Sequence, residues 1–283
     1  MKPGIYFNYP IEAYHSGDGI SKTGLCAFDY APAVYAYQYF QKPQRKESSS
    51  FKIGSAVHSV MEGTFDEIYA IGPEVKSRAE KVWKDFEKAN EGKIVLKPDE
   101  AKKVQTMGAN LRSHRSIGKV LEDGGYYEAS FYWIDHQTGI LCKCRPDFIS
   151  KDYSTIIDFK TAAEVLRRPF QAVAYRYHYY VSAAFTLEGV QACTKVMPTR
   201  YVFASVQSTP PHLVAGYEAT EEELSHGREF FRRNLGGLER CFENCEWPGL
   251  PEHILPLGLP SWACKENDAE NALDEDEKDD WWE

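Results

Sequence analysis

Apolar positions fall into two textures along the chain. Up to residue 122 they recur at helical spacing. Ile53, Ala56, Val57, Val60 and Met61 predict a helix over residues 53–70, with His58 inside it. Val75, Ala79, Val82, Trp83 and Phe86 form one stripe of a charged, amphipathic helix over residues 74–91, and residues 99–121 predict another. Earlier still, Ser21 stands where the N-cap of a helix would sit.

From Tyr126 the pattern turns aromatic and β-branched. Residues 126–134 read as a strand, 135–139 as a turn, 140–149 as a second strand interrupted by Pro146, 151–154 as a turn, and 155–160 as a third short strand. Together they predict a β-meander. A long helix over 164–187, a strand over 201–206 and a helix over 221–243 follow. This order predicts an α/β (α+β) fold, with a central mixed sheet flanked by helices. No internal repeat of fixed period is visible.

Composition changes this picture in one place. The 283 residues are 43% hydrophobic and 27% charged, which excludes collagenous, mucin-like and wholly disordered classes. The net charge is −9, but residues 265–283 alone hold ten acids and two bases, a net of −8. The rest is close to neutral, so the acidity does not argue against a nucleic-acid partner. Such a tail lacks the apolar surface to order itself and is expected to be disordered. Its Trp281 and Trp282 suggest either a solubilising end or a motif that anchors in a protein partner. No run of apolar residues is long enough to span a membrane and no secretory leader is visible. With seven scattered cysteines, this points to a reducing cytoplasm.

The chemistry concentrates between Glu128 and Lys160. Alternate strand residues share a face, so Asp158 and Lys160 point the same way and Phe159 points to the opposite one. Asp147 comes from the adjacent strand, and Glu128, on the first strand, supplies a further carboxylate. Hard divalent cations take oxygen ligands, so Asp147 and Asp158 are candidate Mg²⁺ ligands, with the Phe159 carbonyl as a third. Lys160 would orient or deprotonate the attacking water, or steady charge on a phosphate. The bland alternative is a solvated strand pair with an incidental ion pair.

Other residues stay open on their own terms. His58 is a ligand or an ordinary helix histidine. Arg145 reaches a phosphate or bridges to Glu128 or Asp147. Ser21 and Lys22 form an anion site or a plain cap. Arg176, Tyr177, His178, Tyr179 and Tyr180 interleave charge and aromatic rings on one helix, which suits nucleic acid. Arg167, Arg168, Arg228, Arg232 and Arg233 are solvated faces or line a channel. Cys26, Cys241, Cys245 and Cys264 have no standard cluster spacing, and Cys142 and Cys144 read as packing residues.

The pattern Pro146-Asp147 followed by Asp158-Phe159-Lys160 is that of the PD-(D/E)xK nucleases. Its surroundings, residues 126–133, 138–147 and 156–161, resemble the nuclease domain of RecE-type exonuclease VIII. So do Gly4-Ile5-Tyr6, Tyr14-His15, residues 19–22, Gly54-Ser55-Ala56-Val57-His58, Tyr175-Arg176-Tyr177-His178, Glu246-Trp247-Pro248 and residues 259–263. The resemblance implies a restriction-endonuclease-like core in one nuclease domain over 1–264. Within it, residues 1–122 would be helical and residues 123–264 the catalytic core, followed by the tail 265–283. It implies a Mg²⁺-dependent enzyme (Mn²⁺ being the other candidate ion) that digests linear duplex DNA 5′ to 3′. The 3′ overhangs would serve a RecT-like single-strand annealing protein. It further implies a toroidal tetramer, a phage or prophage origin and action in the bacterial cytoplasm. His58, Asp147 and Asp158 take the metal-site positions, Lys160 that of the catalytic lysine, and Glu128 that of the first-strand acid. One departure concerns the glutamine expected on the following helix. Tyr180 and Ala184 stand where Gln and Tyr are expected, whereas a literal Gln171-x-x-x-Tyr175 lies three turns earlier. An inactive DNA-end binding module and an endonuclease are the alternatives.

Overall fold

A computed structural model describes residues 1–41, 43 and 49–257. One compact unit runs from Met1 to Pro248. Of the unit that begins at Gly249, residues 249–257 hold no helix or strand. Trp281, Trp282, Cys264 and the matching stretch 259–263 lie outside the described residues.

In chain order the unit comprises β1 (Gly4–Tyr6), α1 (Ile11–Ser16), α2 (Lys22–Tyr30), α3 (Pro32–Phe40), α4 (Ser49–Glu62), α5 (Phe65–Ile68), β2 (Tyr69–Ile71), α6 (Lys81–Ala89), β3 (Ile94–Leu96), α7 (Pro98–Ser113) and α8 (Arg115–Glu122). There follow β4 (Gly125–Tyr127), β5 (Ser130–Ile134), β6 (Leu141–Cys144), β7 (Phe148–Ser150), β8 (Thr155–Ala162), α9 (Arg167–Arg176), α10 (Tyr179–Thr194), β9 (Arg200–Gln207), β10 (Val214–Glu218) and α11 (Glu221–Asn244).

Local chemistry explains several boundaries. Pro98 opens α7, where its missing N–H costs nothing, and the Glu100 carboxylate accepts the Lys97 N–H at 2.8 Å. Thr220 and Glu223 cap α11 reciprocally. Gly63, at φ +87°, ends α4, so the single helix expected over 53–70 is two. The helix expected over 99–121 breaks at His114, whose side chain accepts the Ile117 N–H and caps α8.

The expected meander is instead a hairpin that changes sheets. Its outer half forms β5–β6, joined by β1, and its inner half pairs β4 with β7 in a five-stranded sheet ordered β10-β9-β8-β7-β4. The two breaks fall at Ala129–Glu128 and at Arg145–Pro146–Asp147. Pro146 interrupts one strand, and Glu128, with a left-handed φ of +49°, turns the other.

At the centre, β8 runs parallel to β9, as expected of strands joined by the long α9–α10 crossover. Both strands alternate between two cores. Tyr201 and Phe203 join Phe131, Trp133, Phe185 and Phe231 on one face. Ile157, Phe159, Val202 and Ala204 join Val57, Met61 and Met107 on the other. Burial of both faces accounts for the nearly unbroken apolar sequence of β9.

Candidate active site

The two breaks in the hairpin come together and build the site. The Glu128 N–H donates to the Asp147 carbonyl at 3.1 Å. Phe148 pairs with Ile157, so one step further along the ladder Asp147 lies across from Asp158. The Phe159 N–H donates to Asp147 Oδ2 at 2.6 Å. α4 crosses this end of β8 and delivers His58. Its Nδ1 lies 3.4 Å from Asp147 Oδ1 and its Nε2 3.1 Å from the Phe159 carbonyl oxygen.

Donor atoms of His58, Glu128 and Asp147 all lie within 4.8 Å of one another. Asp158 is not one of that group. It forms an ion pair with Lys160 and accepts the Tyr201 hydroxyl at 3.1 Å. Asp158 and Lys160 do share a face of β8, while Phe159 is buried in the opposite core.

Crowding sets the charge states. Burial pushes the Glu128 carboxyl up, and the Asp147 charge adds to this against Arg145 and His58, to about 7. Burial raises Asp158 too, opposed by Lys160 and reinforced by Asp147, to about 6. Burial acts on Asp147 in the same sense, but His58 and Lys160 outweigh it and hold that carboxyl below the ordinary range. For His58, burial favours the neutral ring, yet Asp147 overcomes it and carries the pKa to about 9. Lys160 is likewise disfavoured by burial but rescued by Asp158 and Asp147, reaching about 12, so it is an ammonium at neutral pH.

Both neighbours of the His58 ring are acceptors, Asp147 Oδ1 and the Phe159 carbonyl. An imidazolium therefore lies among the very oxygens a cation would use. A donor set of one imidazole, two carboxylates and a carbonyl fits a hard or borderline divalent ion, whose charge would offset the burial and the neighbouring Asp147 charge that raise Glu128 and Asp158.

Over residues 21–255 the sequence matches the family model described as a PDDEXK-like domain of unknown function, DUF3799. The chain belongs to this family. The matched stretch contains Pro146-Asp147 and Asp158-Phe159-Lys160. Among solved structures, a Eubacterium rectale protein described as a putative exonuclease is similar, with a TM-score of 0.61 and 14% identity over 93% of this chain and 97% of that one. At that identity the likeness concerns the fold, which is the restriction-endonuclease-like one expected. No curated protein matches the sequence. Divalent metals are general to PDDEXK nucleases, and the carboxylate cluster is where this member would hold one. Among the described residues, no helix is long and apolar enough to cross a membrane.

The candidate DNA contacts fare differently. Arg145 is spent on the protein. Its Nε donates to Glu128 Oε2 at 2.7 Å, its Nη1 to the Tyr9 carbonyl at 2.8 Å and to Ser130 Oγ at 3.1 Å, and only 9% of its side chain is exposed. Arg145 thus makes the bridge to Glu128. Ser21 precedes α2 but makes no side-chain cap, its hydroxyl lying 3.5 Å from that of Tyr39. Lys22 Nζ donates to the Tyr177 carbonyl at 2.5 Å.

The single helix expected over 164–187 is broken. α9 ends at Arg176, and His178 takes a left-handed φ of +53° before α10 starts. Gln171, Tyr175 and Arg176 are exposed on α9. Tyr180 belongs to α10, where its ring stacks on Tyr175 at 6.1 Å and its hydroxyl is 3.0 Å from His178 Nδ1. The five interleaved residues 176–180 therefore straddle a turn instead of sharing one helix.

Arg228, Arg232 and Arg233 are engaged in ion pairs with Glu221, with Asp135 and Glu188, and with Asp29. Cys142 and Cys144 are buried in β6, and among the described residues no cysteine joins a group of three metal-capable donors. Sequence reasoning missed Tyr201. Its position opposite Ile156 on β9 could have been read only from the strand pairing.

Proposed function

We propose that this chain is a Mg²⁺-dependent exonuclease that digests linear duplex DNA from 5′ to 3′. The observation that carries the reading is the convergence of His58, Glu128 and Asp147 within 4.8 Å, beside the Asp158–Lys160 pair. Asp147, His58, Glu128 and the Phe159 carbonyl would hold the cation, with Asp158 adjoining. A bound Mg²⁺ or Mn²⁺ offsets phosphate charge and acidifies the attacking water. Lys160, kept protonated by Asp158, orients that water and steadies charge on the phosphate by donating hydrogen bonds, rather than serving as a base. Arg145 fixes the Glu128 carboxylate, and Gln171, Tyr175, Arg176, Tyr180, Ser21 and Lys22 track the DNA.

Polarity, the duplex substrate, the RecT-like annealing partner, the toroidal tetramer and the cytoplasmic setting rest on the resemblance to RecE-type nucleases. The acidic Trp281–Trp282 tail is assigned to a protein partner on composition alone.

The test uses duplexes labelled at the 5′ or the 3′ end, beside a covalently closed circle, with Mg²⁺ and then with a chelator. The expected result is release of 5′ nucleotides from linear DNA, an intact circle and no digestion after chelation. Nicking of the circle would favour an endonuclease, and binding without nucleotide release an inactive end-binding module.

A further inference from the structure

Tyr179 is the first residue of α10, directly after the left-handed turn at His178. The turn carries its ring against β8, where Lys160 Nζ stands 4.9 Å from the ring centroid. The ring is itself held firmly. It stacks with Phe203 at 5.7 Å and 28° and with Tyr177 at 6.2 Å and 24°, and it tilts against Phe170 at 6.1 Å. Phe203 is the residue paired with Asp158 in the β8–β9 ladder, so one strand register sets both the carboxylate and the ring that face Lys160. From α2, the Lys22 ammonium donates to the Tyr177 carbonyl and ties down the turn.

A lysine side chain has four flexible torsions, and one carboxylate fixes only the distance of its ammonium, not its direction. An aromatic face attracts an ammonium by its quadrupole, more so where water is excluded, and so supplies the missing constraint. Such support is what keeps a reacting group within a fraction of an ångström of its working place.

We propose that Tyr179 is a positioning residue whose ring holds the Lys160 ammonium beside Asp158 for the reaction. The role rests on the nuclease reading above, and it belongs to the ring face, not to the hydroxyl. Tyr179→Phe should therefore preserve it and Tyr179→Leu should remove it.

Two measurements test this. In NMR spectra of the lysine-labelled protein without DNA, the Lys160 side-chain signals, assigned by their loss in Lys160→Arg, should carry a ring-current shift. That shift should persist in Tyr179→Phe and disappear in Tyr179→Leu. In digestion of linear duplex, Tyr179→Leu should lower kcat about ten- to thirtyfold with KM unchanged, while Tyr179→Phe stays near the wild-type rate. A ring-current shift that survives in Tyr179→Leu, or a kcat equal in all three proteins, overturns the proposal. So does a rate lost equally in Phe and Leu, which would assign the role to the hydroxyl. If the wild-type protein digests nothing, the nuclease reading fails by itself, and the NMR comparison still reports whether the ring holds the lysine.

Discussion

The Glu128 N–H reaches the Asp147 carbonyl across 3.1 Å, joining the two places where the β4–β5 and β6–β7 ribbon changes sheets. This bond fixes both carboxylates relative to each other, and it depends on the left-handed backbone of Glu128 at φ +49°. A non-glycine residue there is strained, and glycine is not. Glu128→Gly should therefore unfold at higher denaturant than Glu128→Ala, by about 1 kcal/mol, although both lose the same carboxylate. Both should digest DNA poorly. Equal stability of the two variants would mean that the bend imposes no backbone strain.

Lys160→Ala and Asp158→Ala should each reduce digestion of linear duplex by about 10²–10⁴-fold or more while circular dichroism stays native. Asp158 is the acceptor that keeps Lys160 in place, so the double variant should be scarcely worse than either single one. A purified Lys160→Ala protein that digests at the wild-type rate would remove the lysine from the mechanism.

Arg145 and Arg176 should separate cleanly in DNA binding. Arg145 is buried against Glu128, Tyr9 and Ser130, whereas Arg176 is exposed on α9. Removing one half of a buried pair costs roughly 3–5 kcal/mol, so Arg145→Ala should lower the melting temperature markedly. It should leave the dependence of DNA affinity on salt unchanged. Arg176→Ala should barely alter stability but reduce the slope of log affinity against log salt by about 1. A changed slope for Arg145→Ala in folded protein would return that residue to the DNA.

The sequence made Asp158, Phe159 and Lys160 legible because a strand has a fixed period of two, which sorts them onto opposite faces without any knowledge of the fold. The Pro146-Asp147 signal was equally local. What the pattern hid were the breaks. Nothing in Tyr126–Ile134 marks Glu128 as a bend, because a charged residue in left-handed backbone leaves no trace in hydropathy. The run Arg176–Tyr180 contains neither Gly nor Pro, so the turn at His178 is invisible to a reading built on breakers. β10, an edge strand with Gly216 at its centre and little burial, lacks the alternation that reveals other strands. The fate of Arg145 was decided by the Tyr9 carbonyl, 136 residues away in sequence, which no local pattern carries.

Acid should weaken the fold through Asp135. This carboxylate sits in the β5–β6 turn, where it accepts the Thr138 N–H at 3.0 Å and the Thr138 hydroxyl at 2.8 Å, and it pairs with Arg232 of α11. Arg232 also holds Glu188 of α10, so one guanidinium ties the turn to two helices. Burial alone would raise the Asp135 pKa, but the bonds from Thr138 and Arg232 outweigh it and leave the group below its ordinary value of 3.8. A carboxyl depressed on folding contributes stability that is fully present above its unfolded value and is lost as pH falls through the folded one. Asp135→Asn should therefore be less stable than wild type by about 1–3 kcal/mol at pH 7, the cost of losing hydrogen bonds to a charged group. The gap should shrink steadily as pH drops below 3.8, where the wild-type carboxyl takes up its proton. Urea unfolding of both proteins between pH 7 and pH 2.5 measures it directly, and a gap that does not change with pH would show that the charge of Asp135 contributes nothing to the turn.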